Sequence, residues 1–178
     1  NVVSLNTHLL KTPNLSEEEL SEITNNITEL TQKALENSRR IAHDLLPPVL
    51  EKFGLNAGIE ELVVEFNSSK VVNVIYKNDL TFDIADIDKH LHVFRILQEL
   101  LNNSVRHGKA TEISIAFKLI NNQNTCIYSD NGIGFDSNSD SAQKGLGMKN
   151  IESRINFLNG TFSLNSSLNN GVKINFTF

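Results

Sequence analysis

Val93-Phe94-Arg95-Ile96-Leu97-Gln98-Glu99-Leu100-Leu101-Asn102-Asn103-Ser104-Val105-Arg106-His107 is the stretch on which the reading of this chain turns. At helical period it has two faces. Phe94, Leu97, Leu101 and Val105 recur at steps of three and four, the spacing of a core stripe. Glu99, Asn103 and Arg106 form a polar stripe at i, i+4 and i+7, with His107 beside it. Residues four apart on a helix are neighbours on one face. A carboxylate and an amide in that register offer the oxygens that a hard cation such as magnesium takes, and a guanidinium suits phosphate. Alone, the same ladder is what an ordinary solvated helix face carries.

Two motifs downstream bear on that choice. Asp130-Asn131-Gly132-Ile133-Gly134-Phe135 follows directly on the apolar run Thr125-Cys126-Ile127-Tyr128. An aspartate at a strand end can accept a hydrogen bond from an exocyclic amine. Two glycines two apart let backbone approach a flat ligand. By itself, DNG reads more readily as a tight turn with an Asx cap. Gly145-Leu146-Gly147-Met148 opens another helical run, and glycines at a helix N-terminus expose amides to phosphate. This is no dinucleotide fingerprint, because no strand leads into it and no third glycine follows in frame. It is no Walker loop either, because GK[ST] is absent.

The rest of the chain arranges itself around these motifs. Residues 1–12 read as the end of an amphipathic helix broken at Pro13. Ser16 and Glu19 form a capping box for a long helix whose apolar seam runs Leu20, Ile23, Ile27, Leu30, Ala34, Ile41 and Leu45. A two-helix hairpin cannot bury that seam alone, so a dimeric four-helix bundle is expected. Pro47-Pro48 ends it. Leu55, Ile59, Leu62, Val63 and Phe66 predict a short amphipathic helix. Val71–Tyr76, Ile113–Phe117, Thr125–Tyr128, Thr161–Leu164 and Val172–Phe176 predict strands, the second and third joined through residues 121–124, and a helix is expected over Leu146–Leu158. The fold class is therefore α+β: a helical hairpin, then a mixed sheet covered on one face by helices. Residues 1–48 are assigned to the helical part and 49–178 to the sheet domain.

Of the 178 residues, 39% are hydrophobic and the net charge is −5, so no basic footprint points to nucleic acid. The single cysteine, Cys126, excludes an internal disulfide, suits a reducing compartment and reads as a buried structural thiol. No apolar run reaches membrane-spanning length. The missing initial methionine suggests a fragment.

In order and spacing, QELLNNSVRHG, DNGIGFD and GLGMKNIESR resemble the N, G1 and G2 boxes of the histidine-kinase ATP-binding domain. That domain shares its superfamily with DNA gyrase, the heat-shock chaperone of the same fold and the mismatch-repair ATPases. With RRIAHDLLPPVLEKFGL upstream, essentially the whole chain resembles the nitrate- and thermosensor-type two-component sensor kinases. The resemblance implies that Asn103 coordinates Mg2+ and that Glu99 orients the metal or its water. Arg106 and His107 match a basic pair that meets the phosphates or the lid. Asp130 matches the acceptor of the adenine amine, with Gly132 and Gly134 shaping the pocket. Gly145, Leu146 and Gly147 match the turn whose amides border the triphosphate of ATP. Residues 136–144 would be a lid, mobile without nucleotide. One departure stands out: the family often has Gly-Thr before the last strand, and this chain has Gly171-Val172.

The resemblance further implies a cytoplasmic, homodimeric transmitter that phosphorylates a histidine and then a response-regulator aspartate, with any membrane attachment upstream. His43-Asp44 has the acceptor's composition but stands at the end of the second hairpin helix, so the acceptor is expected before residue 1 and the fragment should bind ATP without labelling itself. His8 reads as a bundle surface residue, and His90 and His92 as surface or capping residues. An anti-sigma-factor-type serine kinase and a silent nucleotide-binding dimerisation module are the alternatives. The helical appendage speaks against the first and the retained polar residues against the second.

Overall fold

The computed structural model describes residues 16–43, 46–81, 86–136 and 146–178, with backbone alone for 17–20 and 35–43. The chain divides into two compact units, Asn1–Pro47 and Pro48–Phe178. In the first, helix α1 (Glu17–His43) begins directly after Ser16. Its half-buried residues Ile23, Ile27 and Leu30 fall on one stripe, and the described residues between them are exposed. The expected helix over residues 1–12, residues 137–144 of the expected lid and His8 lie outside the described residues.

The second unit opens with α2 (Pro48–Ser68), which starts on a proline whose missing amide costs nothing in a first turn. Gly54, at φ 78°, interrupts it, so the regular amphipathic run starts at Leu55. Strand β1 (Asn73–Asn78) follows. Then come α3 (Ile87–Arg106), β2 (Glu112–Ile120) and β3 (Gln123–Asp130). Helix α4 (Leu146–Phe157) and strands β4 (Phe162–Ser166) and β5 (Val172–Thr177) complete the unit. The strands lie in the order β1-β2-β3-β5-β4. Only β1 and β2 run parallel, and α3 is the crossover that a parallel pair requires.

Side chains on alternate positions build one core face. Tyr76, Ile115, Tyr128, Ile174 and Leu164 are register partners in a single row across all five strands. The next row is Val74, Ile113 and Asp130, which places a carboxylate where core residues stand. Helix α3 lies on this face flanked by α2 and α4, and α2 itself meets β1, where the Tyr76 hydroxyl donates to Asn56. Its Phe94 abuts Gly58 of α2, and on the other side the Tyr128 hydroxyl reaches the Leu100 carbonyl at 3.2 Å. A helix packed on both sides needs two apolar stripes. Besides Phe94, Leu97 and Leu101, the residues Val93, Ile96 and Leu100 are buried, whereas Val105 is half-buried. Each fully buried side chain of this kind contributes about 1.5–3 kcal/mol.

Three expectations need correction. The β2–β3 connection is a two-residue turn with Asn121 at φ 50° and Asn122 at φ 62°, not a four-residue loop, and Gln123 already pairs with Ile120. Strand β1 begins at Asn73 rather than Val71, whose side chain is exposed. His90 is buried rather than at the surface, and half-buried His92 stacks on Phe157 of α4 with ring centroids 4.0 Å apart. Cys126 is buried in the core as expected, and burial pushes its thiol well above the usual range. No helix among the described residues is long and apolar enough to cross a membrane.

The α3–α4 contact carries a pH dependence. Burial first, then the Arg154 guanidinium, hold His92 below the ordinary imidazole value of 6.5, against an opposing pull from Asp88. Below 6.5 the unfolded chain therefore binds the proton before the folded chain does, so stability falls as pH drops toward the lower folded value. Urea unfolding at pH 7.5 and about pH 5.5 should show this loss, and His92→Gln should remove part of it. An unchanged slope in that variant would show that His92 does not contribute.

Candidate functional site

A cavity of about 500 Å³ lies between α3, the ends of β3 and β5, and the start of α4. That volume is typical of a site for a nucleotide-sized ligand. Its walls are mostly apolar, including Leu100, Ile133, Met148, Val172 and Ile174, while the polar groups concentrate at two places.

The first is Asp130, at the end of β3 and only 8% exposed. Its Oδ1 accepts the amides of Gly132 at 2.9 Å and Val172 at 3.2 Å. Its Oδ2 accepts the Ser104 hydroxyl in a short hydrogen bond. The Ser104 and Tyr128 hydroxyl oxygens are 2.7 Å apart. Burial pushes the Tyr128 phenol far above its ordinary value, Asp130 adding to this and the Ser104 hydrogen bond opposing it, so the phenol keeps its proton. Neighbouring Asn131 points away and binds the backbone amides of Thr111 and Glu112, each at 2.9 Å. The DNG motif is thus divided by function: Asn131 ties the end of β3 to β2, and Asp130 serves the cavity.

The second polar place is the cavity's edge, where Glu99 and Asn103 stand one helical turn apart. The Asn103 Nδ2 donates to Glu99 Oε1 at 3.2 Å, which leaves the amide oxygen and the other carboxylate oxygen available. A β-carbon added to Gly147 would collide with Glu99 Oε1, so glycine lets the first turn of α4 come up against this pair. Among the described residues there is no cluster of three His, Cys, Asp or Glu that could hold a metal by itself. The donor set fits Mg2+ nonetheless, because that ion keeps several waters and takes one or two protein oxygens alongside substrate phosphates.

Of the residues singled out from sequence, Glu99, Asn103, His107, Asp130, Gly134, Leu146 and Gly147 line this one cavity. Gly132 does not; it stands behind the wall, where a side chain would meet the Gly108 carbonyl that accepts the Ile133 amide at 2.8 Å. Arg106 does not line it either. It is exposed in the last turn of α3, off the lane formed by Glu99, Asn103 and His107. Gly145 lies outside the described residues. The reading missed Ser104 and Tyr128. In the strand period, Cys126, Tyr128 and Asp130 share a face, so Tyr128 was the available signal. Val172, at the place of the departure, meets Asp130 through its amide; its side chain brings no hydroxyl.

Residues 88–178 match the family model described as histidine kinase-, DNA gyrase B- and HSP90-like ATPase. The chain is 32% identical over 75% of its length to the sensor histidine kinase MctS of Rhizobium johnstonii, of which it spans 30%. It is 29% identical over 92% of its length to the sensor histidine kinase ComP of Bacillus subtilis, of which it spans 21%. The chain thus covers less than a third of either relative. Among solved structures, it resembles the histidine kinase domain of the Erythrobacter litoralis EL346 blue-light activated histidine kinase. The TM-score is 0.60, with 17% identity, over 70% of this chain and 60% of that one, a likeness of fold.

Proposed function

Since this chain belongs to the histidine kinase-, DNA gyrase B- and HSP90-like ATPase family and is the ATP-binding transmitter portion of a sensor histidine kinase, we propose that its cavity binds ATP with Mg2+ and presents the γ-phosphate to a histidine. The observation that carries this is a buried carboxylate and an edge pair, Glu99 and Asn103, on one cavity. Asp130 accepts the adenine amine, and the apolar walls hold the ring. The triphosphate then runs toward Glu99, Asn103 and the amides at the start of α4, where the helix dipole favours negative charge. Glu99 and Asn103 would hold Mg2+, which when bound neutralises phosphate charge. His107, exposed at the cavity's rim, would meet the phosphates or the lid, and Arg106 stands off the cavity.

Phosphoryl transfer asks chiefly for positioning and charge neutralisation. The imidazole nitrogen of the acceptor forms the P–N bond while the bond from Pγ to the β-γ bridging oxygen breaks and ADP leaves. The acceptor belongs upstream of residue 1, with residues 1–48 pairing two copies and a response-regulator aspartate receiving the group. In this reading the domain boundary falls at 48/49 and the site works in the cytoplasm.

Thermal shift with ATP, with and without magnesium, tests the site. ATP should raise the melting temperature, and magnesium should raise it further. Gly147→Ala should reduce the magnesium-dependent increment, with ATP affinity in magnesium falling about tenfold, because the new methyl displaces the Glu99 carboxylate. Metal-free binding should stay within about twofold, since alanine favours the helix by up to about 1 kcal/mol and the atom it meets ends a flexible side chain. No shift with ATP would refute the proposal.

A further inference from the structure

We propose that Ser104 and Tyr128 are positioning residues that aim Asp130 at an amine, and so make this cavity selective for 6-aminopurine nucleotides over purines lacking that amine. The inference deepens the reading of the cavity as an ATP site and rests on it.

A count of hydrogens leads to this. Serine and tyrosine hydroxyls each carry one proton, and a carboxylate carries none. The Ser104 hydrogen goes to Asp130 Oδ2. The Ser104 oxygen is then open to the Tyr128 hydrogen across 2.7 Å, in preference to the Leu100 carbonyl at 3.2 Å. The result is a directed chain, Tyr128 to Ser104 to Asp130, in which each bond polarises the next. On the other carboxylate oxygen, Gly132 and Val172 amides take both lone pairs. One acceptor site therefore remains on Asp130, on Oδ2, held by three donors that come from α3, the turn after β3, and the start of β5.

All three groups of the chain are enclosed: Tyr128 is 1% exposed, Ser104 6% and Asp130 8%. Tyr128, Ser104 and Asp130 also line the cavity, so the acceptor site faces a ligand rather than bulk water. A ligand that brings an amine there completes the carboxylate's set. A ligand with hydrogen in its place leaves a buried acceptor unmet. Ser104→Ala removes the donor that fixes Oδ2. The carboxylate then has two unmet sites on that oxygen and can turn about its Oδ1 contacts, so the amine loses its aligned partner. No bond to the rest of the nucleotide is touched.

The experiment measures binding of ATP and of purine riboside triphosphate, which has hydrogen where ATP has the amine, to the unaltered chain, Ser104→Ala and Tyr128→Phe by titration calorimetry in magnesium. The unaltered chain should bind ATP at least tenfold more tightly than the analogue. Ser104→Ala should lose about tenfold for ATP and stay within about twofold for the analogue, collapsing the preference; Tyr128→Phe should lose about threefold for ATP alone. Equal losses for both ligands in Ser104→Ala would mean that the serine only supports the fold, and would overturn the proposal. So would an unchanged ATP affinity in that variant. If the unaltered chain fails to bind ATP, the parent reading falls and takes this one with it, a result distinct from the two before.

Discussion

Asp130→Asn is expected to weaken ATP binding more than a hundredfold and to leave the chain folded. The two halves of this result have one cause. Asparagine has the volume of aspartate, and its amide oxygen can take the Oδ1 position and keep the Gly132 and Val172 amides, now 2.9 and 3.2 Å away. Its NH2 group must then stand where Oδ2 accepts from Ser104. The hydroxyl chain can reverse to meet it. The introduced amide donates to Ser104, Ser104 to Tyr128, and Tyr128 to the Leu100 carbonyl, which is already 3.2 Å from the phenol oxygen. Every buried polar group keeps a partner, so urea unfolding should change by no more than about 1 kcal/mol. The second amide hydrogen, however, points at the place of the adenine amine. A hydrogen bond to a charged group, about 1.5–3 kcal/mol, becomes a clash of two donors, and about 1.4 kcal/mol is tenfold in affinity. Titration calorimetry of this variant against ATP checks it. Retained affinity would place the base elsewhere, and a loss of folding would show that the chain cannot reverse.

How much of this was legible beforehand depends on whether the signal was local. Glu99 and Asn103 are four apart on one helix, and Asp130 ends an apolar run before a glycine pair, so period and motif were sufficient to pick them out. The same period put Arg106, seven residues on from Glu99, on that stripe, whereas the cavity is lined through Asn103 and His107 and not by Arg106. Ser104 and Tyr128 were opaque for the opposite reason. Each looks bland in its own segment, and they meet only because β3 packs under α3, a contact 24 residues apart in sequence. His90 was misread because polar residues near a helix start resemble caps, whereas one side of α3 is already covered at His90, next to the exposed Asp88 and Lys89. The strands were readable because alternation survives in each. The hairpin turn was set too long because the polarity of Gln123 and Asn124 hid that both belong to the ladder.

The departure at Gly171-Val172 leads to the second large effect, on stability. Gly171→Ala should lower the unfolding free energy by about 3 kcal/mol or more and remove ATP binding with it. Gly171 has φ +66°, a conformation that costs an ordinary L-residue about 1–2 kcal/mol. A β-carbon there would also collide with the backbone carbonyl of Asp130. Unlike the carboxylate end that Gly147 faces, that carbonyl cannot move aside. It closes β3, whose Ser129 pairs with Lys173 of β5 in the antiparallel ladder. Relief of the clash must pull the two strands apart at the point where the Val172 amide holds Asp130. The two causes separate in a second variant. Asparagine tolerates positive φ better than alanine, so Gly171→Asn would recover much of the loss if backbone strain dominated. The collision is the same for any β-carbon, so the expectation is that both variants fall together, with melting temperatures about 10 °C or more below the parent. Recovery by asparagine would assign the glycine to its backbone angle alone, and an alanine variant melting like the parent would show that β3 and β5 can part here at little cost.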